Sequence, residues 1–336
     1  MSKFTRSADT SHRLSLAAME EASRVGLRTA DIEHLLLALT IDRDRAGRVL
    51  RRHGLTLEAA RAGVAAQHSA QLAGLGVSVG EPDSGRIVFH ETDGYTWSDR
   101  AGRIFTAANA RGNAGDAVAV LTELLAEPSG LIEAVVQEVG ASRAAIEHDL
   151  VSSGSAASID EHTESPPRSS SPLAGTTEGF IPAPTAEVWS LLADPARIPE
   201  WEPSIASVAA SPEGTTDQLG GSWRARATTT RPDGTELKVA PAFRRVRLGL
   251  LAREPERRVV WNLAFPDAPR ANSRTIDITL EPEADGTRIR IAFSWDRAGD
   301  RPRRHRVLGF VLRPAYRVII WVQLSQLVSG ISRVFR

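Results

Sequence analysis

The chain has 336 residues, 41 basic and 41 acidic side chains, and no cysteine. This length allows two domains, and the lack of cysteine excludes disulfides, thiol nucleophiles and cysteine-based zinc sites. The balanced charge argues against a nucleic-acid-binding protein, because no concentrated basic stripe is present. The N-terminus lacks the apolar core of a signal peptide, and the apolar run at residues 318–322 is too short to span a bilayer. We therefore expect a cytoplasmic protein, and no motif indicates a cofactor or a metal site.

Residues 1–151 carry apolar side chains at helical spacing, interrupted by caps and stops. Asp31 and Thr56 are suitable N-caps, and Gly54 is a suitable helix end. The segment that begins at Leu35 recurs 86 residues later, which places Gly54 on Gly140. An internal repeat is stronger evidence for the architecture of a chain than the other sequence signals are. The sequence predicts an all-α double-repeat helical bundle.

Specific residues of this repeat point to a known family. Phe4-Thr5 stand before the first helix, residues 32–39 read Ile-Glu-His-Leu-Leu-Leu-Ala-Leu, and Tyr95-Thr96 open the second copy. In order and spacing these residues resemble the double-repeat N-terminal domain of Clp unfoldases. That resemblance implies a non-catalytic docking domain for a Clp-protease substrate, an adaptor protein, a cyclic-peptide antibiotic or phosphorylated arginine.

The resemblance also implies a partner-binding surface, which consists of Phe4, Thr5, Glu33, Tyr95 and Thr96. Glu33 holds the position of an acidic residue that meets guanidinium or phospho-arginine groups in that family, whereas the matching residue of the second copy is Ala119. An alternative is that Phe4 and Tyr95 are hydrophobic staples of their own helices. The chain has no G-x-x-x-x-G-K-[ST] motif, so it cannot be an ATP-driven unfoldase by itself.

Residues 152–175 separate this helical region from a strand-rich one. The segment is rich in Ser, Ala and Pro, and Ile159 and Leu173 are its only large apolar residues. Such a composition cannot bury enough surface to offset the entropy of ordering. It predicts a disordered linker.

Residues 176–336 predict an α+β domain with one strand, a helix, a meander of antiparallel strands and a long final helix from about residue 303 to 333. Thr185 is expected to cap the first of these helices. The motif Ile181-Pro182-Ala183-Pro184, with Val188-Trp189 and Asp194-Pro195 after it, resembles the START-like polyketide cyclase/dehydrase (SRPBCC) superfamily. That resemblance implies a helix-grip fold, in which a curved sheet and the C-terminal helix enclose an apolar cavity for lipids, polyketides or hormones.

Six of the seven tryptophans lie in this region, which suits a cavity lined by aromatic groups. The residues expected to line the cavity are Trp189, Trp201, Trp223, Phe243, Trp261, Phe293, Trp295, Leu308, Leu312 and Ile319. Aromatic residues at alternating strand positions more often belong to an ordinary core, and that alternative stays open.

Catalytic candidates are few. His34 has no acidic or thiol partner at a catalytic spacing and is expected to be a packed, hydrogen-bonded histidine. Asp277 would serve as a base only if it faced the cavity, and His305 lies among arginines. The last 36 residues contain eight arginines and no carboxylate, so contact of the final helix with a membrane surface is a further hypothesis.

These features together predict a non-ATPase, two-domain binding protein. Its N-terminal domain would dock a peptide or protein partner of the Clp system, and its C-terminal domain would bind a small hydrophobic ligand. The alternative is a cyclase- or dehydratase-like enzyme with an accessory docking domain. A His–Asp or Tyr–Asp pair inside the cavity would favour the enzyme.

Overall fold

The computed structural model describes residues 3–76, 87, 94–110, 115–156, 173–209, 220–231, 234–296 and 313–336. The chain divides into two compact units, whose main segments are residues 1–164 and 165–335.

The described part of the first unit is helical. Its helices are α1 (Lys3–Arg24), α2 (Ile32–Thr40), α3 (Arg45–Arg52), α4 (Leu57–Gly74), α5 (Asp99–Asn109), α6 (Ala117–Leu125), α7 (Leu131–Glu138) and α8 (Arg143–Ala156). Two-residue strands, β1 (Thr29–Ala30) and β2 (Thr96–Trp97), pair in parallel before α2 and α5. As predicted, Asp31 and Thr56 are N-caps, of α2 and α4.

The internal repeat is visible in the helix positions. Helices α3 and α7 have eight residues each and are separated by 86 positions, and so are the first residues of α4 and α8. Gly54 follows α3 and Gly140 follows α7, with φ angles of 80° and 79°. A glycine adopts this left-handed conformation after a helix without steric cost.

Helix α2 lies at the centre of the first unit. All nine of its residues are buried. Its side chains Leu35, Leu36 and Leu39 belong to one apolar core that includes residues of both copies of the repeat. The two copies therefore share one core.

A charged cluster around the buried Asp42 joins α1 to the loop before α3. The Arg13 guanidinium forms ion pairs with Asp42, with Asp9 at 3.0 Å and with Asp44 at 2.6 Å. Burial lowers the pKa of Arg13, but the three carboxylates outweigh this and raise it above its ordinary value. Gly47 of α3 leaves room for the Asp42 carbonyl, since a Cβ there would lie only 2.0 Å from that oxygen.

The second unit contains an antiparallel sheet in the order β3-β9-β8-β7-β6-β5-β4. Its strands are β3 (Ala174–Ile181), β4 (Ile205–Val208), β5 (Ser222–Ala227), β6 (Arg245–Glu254), β7 (Arg258–Ala264), β8 (Ser273–Glu283) and β9 (Gly286–Asp296). Helices α9 (Thr185–Leu192) and α10 (Ile198–Trp201) connect the two edge strands, and α11 (Arg313–Val334) ends the unit. This is the strand-helix-meander-helix order expected from the sequence.

Helix α11 packs on the sheet through a buried stripe formed by Ile320, Leu324, Leu327 and Ile331, which recur at helical spacing. Strand β3 meets this helix at two glycines. A Cβ at Gly175 would lie 2.6 Å from Ile320 Cγ2, and a Cβ at Gly179 would lie 2.6 Å from Val328 Cγ1. The absence of side chains at these positions allows the helix to approach the strand closely.

Three predicted boundaries need correction. Helix α8 continues to Ala156 and β3 begins at Ala174, so both ends of the predicted linker carry regular structure. Residues 157–172 lie outside the described residues, and their assignment as a linker stays a prediction. Pro184, not Thr185, is the N-cap of α9, because the proline ring fixes an extended entry to the helix. The described part of the final helix begins at Arg313, and its predicted start near residue 303 lies outside the described residues and stays a prediction.

Candidate functional site

A cleft of about 210 Å³ opens where α11 meets strands β8 and β9 and the segment after α10. It is lined by Glu202, Pro203, Ser204, Arg274, Phe293, Gln323, Gln326 and Leu327. Four segments of the second unit therefore build its wall. The lining combines an apolar side with charged and amide groups, which is typical of sites for small molecules.

Glu202 is the acidic group of the cleft. It directly follows α10, and only 6 % of the residue is exposed. Its Oε1 accepts a hydrogen bond from the Ser204 backbone N–H at 3.1 Å. The carboxylate is thus held at the start of a tight turn, beside the cavity.

Arg274 is the basic group of the cleft. It shares a face of β8 with Ile276 and Ile278, both buried on the inner side of the sheet. Its Nη1 lies 3.5 Å from the Ser204 hydroxyl, and its guanidinium stands 5.6 Å from the centre of the Phe265 ring. A cation at this distance from an aromatic face is stabilised by the ring's quadrupole.

The third polar contribution comes from two amides on α11. Gln323 and Gln326 are three residues apart, and side chains at that spacing share a face of a helix. The Oε1 atom of Gln323 is buried and has no hydrogen-bond partner among the described residues. A buried acceptor without a partner costs free energy, so this amide favours a donor that enters the cleft.

Of the residues predicted to line the cavity, Phe293 lines this cleft. Trp295 stacks on Phe293 edge to face, with ring centres 5.8 Å apart. Trp223 and Trp261 are buried in an edge-to-face pair at 5.6 Å, and the Trp261 indole donates to the Leu192 carbonyl at 2.9 Å. These two are core residues, as the alternative interpretation of the aromatic pattern allowed.

The other predicted lining residues occupy different places. Trp201 is buried beneath α11, whereas Trp189 is half-buried with the Arg253 guanidinium 5.8 Å from its ring. Phe243 is 39 % exposed and packs edge to face on Phe265. Leu308 and Leu312 lie outside the described residues.

The prediction for Ile319 is wrong. This residue is 46 % exposed, because the buried stripe of α11 starts one position later, at Ile320. A shift of one residue rotates a helix by about 100°, and it turns Ile319 away from the sheet. Val318 and Val322 lie on the exposed side with Ile319.

Asp277 does not face the cleft. Its neighbours Ile276 and Ile278 point to the inner face of β8, so Asp277 lies on the outer face. There its carboxylate receives two hydrogen bonds from the Arg258 guanidinium, at 3.0 and 2.8 Å. It is therefore part of a cross-strand ion pair. His305 lies outside the described residues.

The structure brings together some of the residues that were predicted to form the partner-binding surface of the first unit. Strand pairing places Thr96 opposite Thr29, with their hydroxyls 3.4 Å apart, and Tyr95 is half-buried beside them. Glu33 lies in the first turn of α2, four residues after Thr29 in the chain. It is 7 % exposed, and its Oε2 has no hydrogen-bond partner among the described residues. Phe4 and Thr5 fall within α1, and their side chains are not among those described.

The start of α2 is fixed by a reciprocal capping arrangement. The Asp31 carboxylate accepts from the Ile32 N–H at 2.8 Å, and the Asp31 N–H donates to Nδ1 of His34 at 3.2 Å. Burial lowers the pKa of His34 below its ordinary value of 6.5. A neutral histidine that accepts a backbone hydrogen bond is the packed residue expected from the sequence.

Asp31 also connects the two copies of the repeat, since Ser98 and Arg100 donate to its carboxylate. Burial raises the pKa of Asp31, but these hydrogen bonds outweigh burial and bring it below its ordinary value. Among the described residues, no group of acidic or histidine side chains is arranged to hold a metal ion. None of the helices in those ranges combines the length and the apolar character needed to cross a membrane.

Comparison with known proteins assigns the second unit to a class. Residues 175–319 match the family model described as polyketide cyclase / dehydrase and lipid transport. This region is a polyketide cyclase/dehydrase-type domain, as the sequence resemblance implied. None of the comparisons supports the resemblance of residues 1–151 to the Clp domain, which stays a prediction. Comparison with curated proteins gives no match.

Similar solved structures are distant in sequence. A protein from Thermus thermophilus is 19 % identical, with 48 % of this chain and 96 % of that chain covered and a TM-score of 0.33. A protein from Mycobacterium smegmatis is 20 % identical over 48 % of this chain and 90 % of its own, with a TM-score of 0.31. A Polyketide_cyc-like protein from Corynebacterium glutamicum is 18 % identical, with 49 % and 90 % covered and a TM-score of 0.30.

Proposed function

We propose that the second unit binds a small hydrophobic molecule in the cleft beside α11. The observation that carries this proposal is the cleft itself, which has an apolar wall formed by Pro203, Phe293 and Leu327. The family match to residues 175–319 supports it, since that family's description includes lipid transport. Burial of apolar ligand surface against such a wall supplies the binding free energy.

Native mass spectrometry of the protein purified from its own host tests this function. We expect a bound hydrophobic species in the wild-type protein. Gln326→Phe fills the cleft and should remove that species. Val322→Phe is the matched control, because Val322 lies one turn away on the same helix, 38 % exposed and outside the lining. If the wild-type protein carries no ligand and hydrophobic compounds change neither mass nor melting temperature, the proposal is wrong.

For the first unit we propose docking of a peptide or protein segment beside the β1–β2 pair. The exposed Thr29 and Thr96 mark this place, and Tyr95 and the buried Glu33 carboxylate lie near it in the chain. The sequence resemblance suggests the kind of partner. It is a Clp-protease substrate, an adaptor protein, or a peptide antibiotic for which the domain acts as a decoy.

The double substitution Phe4→Ala/Tyr95→Ala tests this docking, with β-casein as an unfolded probe. We expect weaker binding and unchanged helical circular dichroism. Leu75→Ala is the control, because Leu75 is 78 % exposed at the end of α4. Loss of helicity in the double variant would instead assign Phe4 and Tyr95 to hydrophobic staples.

A second candidate function, cyclase- or dehydratase-like catalysis, is favoured by Glu202. The described lining has neither a His–Asp nor a Tyr–Asp pair, but it does place a carboxylate and a guanidinium at one cleft. A carboxylate can abstract a proton, and a guanidinium can stabilise the oxyanion that results. Glu202→Gln would then abolish turnover of a bound ligand without abolishing binding. Equal turnover in both proteins would exclude this role.

A further inference from the structure

The volume of the cleft matches a ligand of one ring. A cavity of about 150 Å³ accommodates benzene, whereas pockets for drug-sized molecules measure about 300–1,000 Å³. The cleft, at about 210 Å³, lies near the lower of these values. A single aromatic ring with two small substituents fits this volume.

The apolar wall suits an aromatic ring. Phe293 belongs to a row of edge-to-face aromatic contacts, with 5.8 Å between the centres of Phe293 and Trp295 and 6.0 Å between those of Trp295 and Tyr316. These neighbours fix the orientation of the Phe293 ring at the cleft. Aromatic groups gain free energy from such offset or edge-on contacts beyond simple burial.

The two charged groups of the cleft are close to each other without being paired. Ser204 links them, because its N–H donates to Glu202 at 3.1 Å and its hydroxyl lies 3.5 Å from Arg274 Nη1. No ion pair within 4.0 Å joins Glu202 to Arg274 among the described contacts. Each charge therefore keeps hydrogen-bonding capacity that a ligand could use, and the Oε1 of Gln323 adds an unpartnered acceptor.

Each of these side chains favours a different functional group on the ligand. A guanidinium binds a carboxylate through charge-assisted hydrogen bonds, which are about twice as strong as neutral ones. Glu202 and the Gln323 oxygen both need a donor. A hydroxyl fits better than an ammonium, because burying a neutral donor costs less desolvation free energy than burying a second cation.

We propose that the cleft binds a single-ring hydroxy acid. The ring packs on Phe293 and Leu327, the carboxylate binds Arg274, and the hydroxyl donates to Glu202. This inference rests on the proposed function of the cleft as a ligand site, and it adds the chemical class of the ligand.

Titration of the full-length protein with the three hydroxybenzoate isomers, benzoate and toluene tests the inference, with Kd measured by calorimetry. We expect one hydroxybenzoate to bind at least tenfold more tightly than benzoate or toluene. Arg274→Gln should weaken it about 10–100-fold, and Glu202→Gln should reduce it to the affinity of benzoate, consistent with lost hydrogen bonds to charged groups.

Arg224→Gln and Glu281→Gln are matched controls, because both residues are exposed on the sheet outside the cleft. They should change Kd less than twofold, and melting curves verify that every variant folds. If toluene binds as tightly as every hydroxybenzoate, or if Arg274→Gln has no effect, the hydroxy-acid inference fails while the binding function survives. If no compound binds and Gln326→Phe also leaves the bound species unchanged, the proposed function of the cleft fails as well.

Discussion

Asp42 of the first unit and Glu202 of the second are both buried carboxylates, 4 % and 6 % exposed, but their surroundings differ. Asp42 is paired with the Arg13 guanidinium and accepts the Asp44 N–H at 3.0 Å. Glu202 accepts one backbone N–H and otherwise borders an open cleft. A buried carboxylate that is paired with a cation holds the elements around it together, whereas one without a cation beside a cavity is suited to a ligand.

The largest effect should follow from breaking the Asp42 pair. Arg13→Met leaves Asp42 buried without its cation, and removal of one partner of a buried ion pair costs about 3–5 kcal/mol. Chemical denaturation followed by helical circular dichroism measures this loss in the free energy of unfolding. Arg103→Met is the control, because Arg103 lies on α5 in the second copy of the repeat and is exposed. A loss below about 1 kcal/mol would contradict the structural role that we assign to Arg13.

A smaller effect should follow from disturbing the support of Glu202. A Cβ at Gly330 of α11 would lie 2.4 Å from the Trp201 carbonyl oxygen, one residue before Glu202. Gly330→Ala should therefore cost about 1–3 kcal/mol and also weaken ligand binding. In Gly249→Ala the new Cβ meets no atom within 4 Å, so both quantities should stay close to wild type. If both variants had the same stability and the same affinity for ligand, the contact between Gly330 and Trp201 would not position Glu202.

His34 provides a pH-dependent test of the first unit. Its pKa is lower in the folded protein than the ordinary 6.5, so the unfolded chain binds the proton more readily. The stability contribution is present above pH 6.5 and decreases as the pH falls toward the folded pKa. His34→Gln retains the capping acceptor without titrating, and its melting temperature should fall less than that of the wild type between about pH 7.5 and 5.5. Parallel curves for the two proteins would be incompatible with a neutral, buried His34.

The smallest effect on stability is expected at the cleft. Glu202→Gln keeps an acceptor for the Ser204 N–H and removes a charge that no cation contacts within the described residues. Its free energy of unfolding should change by less than about 1 kcal/mol, whereas Asp42→Asn, which removes the buried one of the three carboxylates that pair with Arg13, should cost more. If Glu202→Gln lost much free energy of unfolding and Asp42→Asn lost little, Glu202 and not Asp42 would be the structural carboxylate.

Much of the fold could be predicted from the sequence because it depends on local signals. The caps Asp31 and Thr56, the glycine stops and the alternating strands follow directly from side-chain periods and backbone preferences. The cleft could not be predicted in the same way. The alternation that places Phe293 and Trp261 on the inner face does not show which of them borders a cavity.

The polar lining was missed, although two signals were present. Arg274 occupies an inner position of β8 otherwise filled by isoleucine and leucine, and two glutamines interrupt an apolar stretch of α11. Charged and amide groups at positions that the pattern reserves for apolar side chains mark a site better than the abundance of tryptophan does. Ile319 illustrates the remaining limit, because the helical period does not fix which face of α11 meets the sheet.

Gly175 and Gly179 have a consequence for how ligand preference can change over evolution. Both lie on β3, which contributes no residue to the cleft, yet they determine how near α11 can lie to that strand. Replacing either glycine by a larger residue would push α11 away from β3 and alter the space at Gln323 and Gln326. Substitutions on β3 can therefore change the volume of the cleft, and substitutions of its lining residues can change its chemistry. The two properties can vary separately.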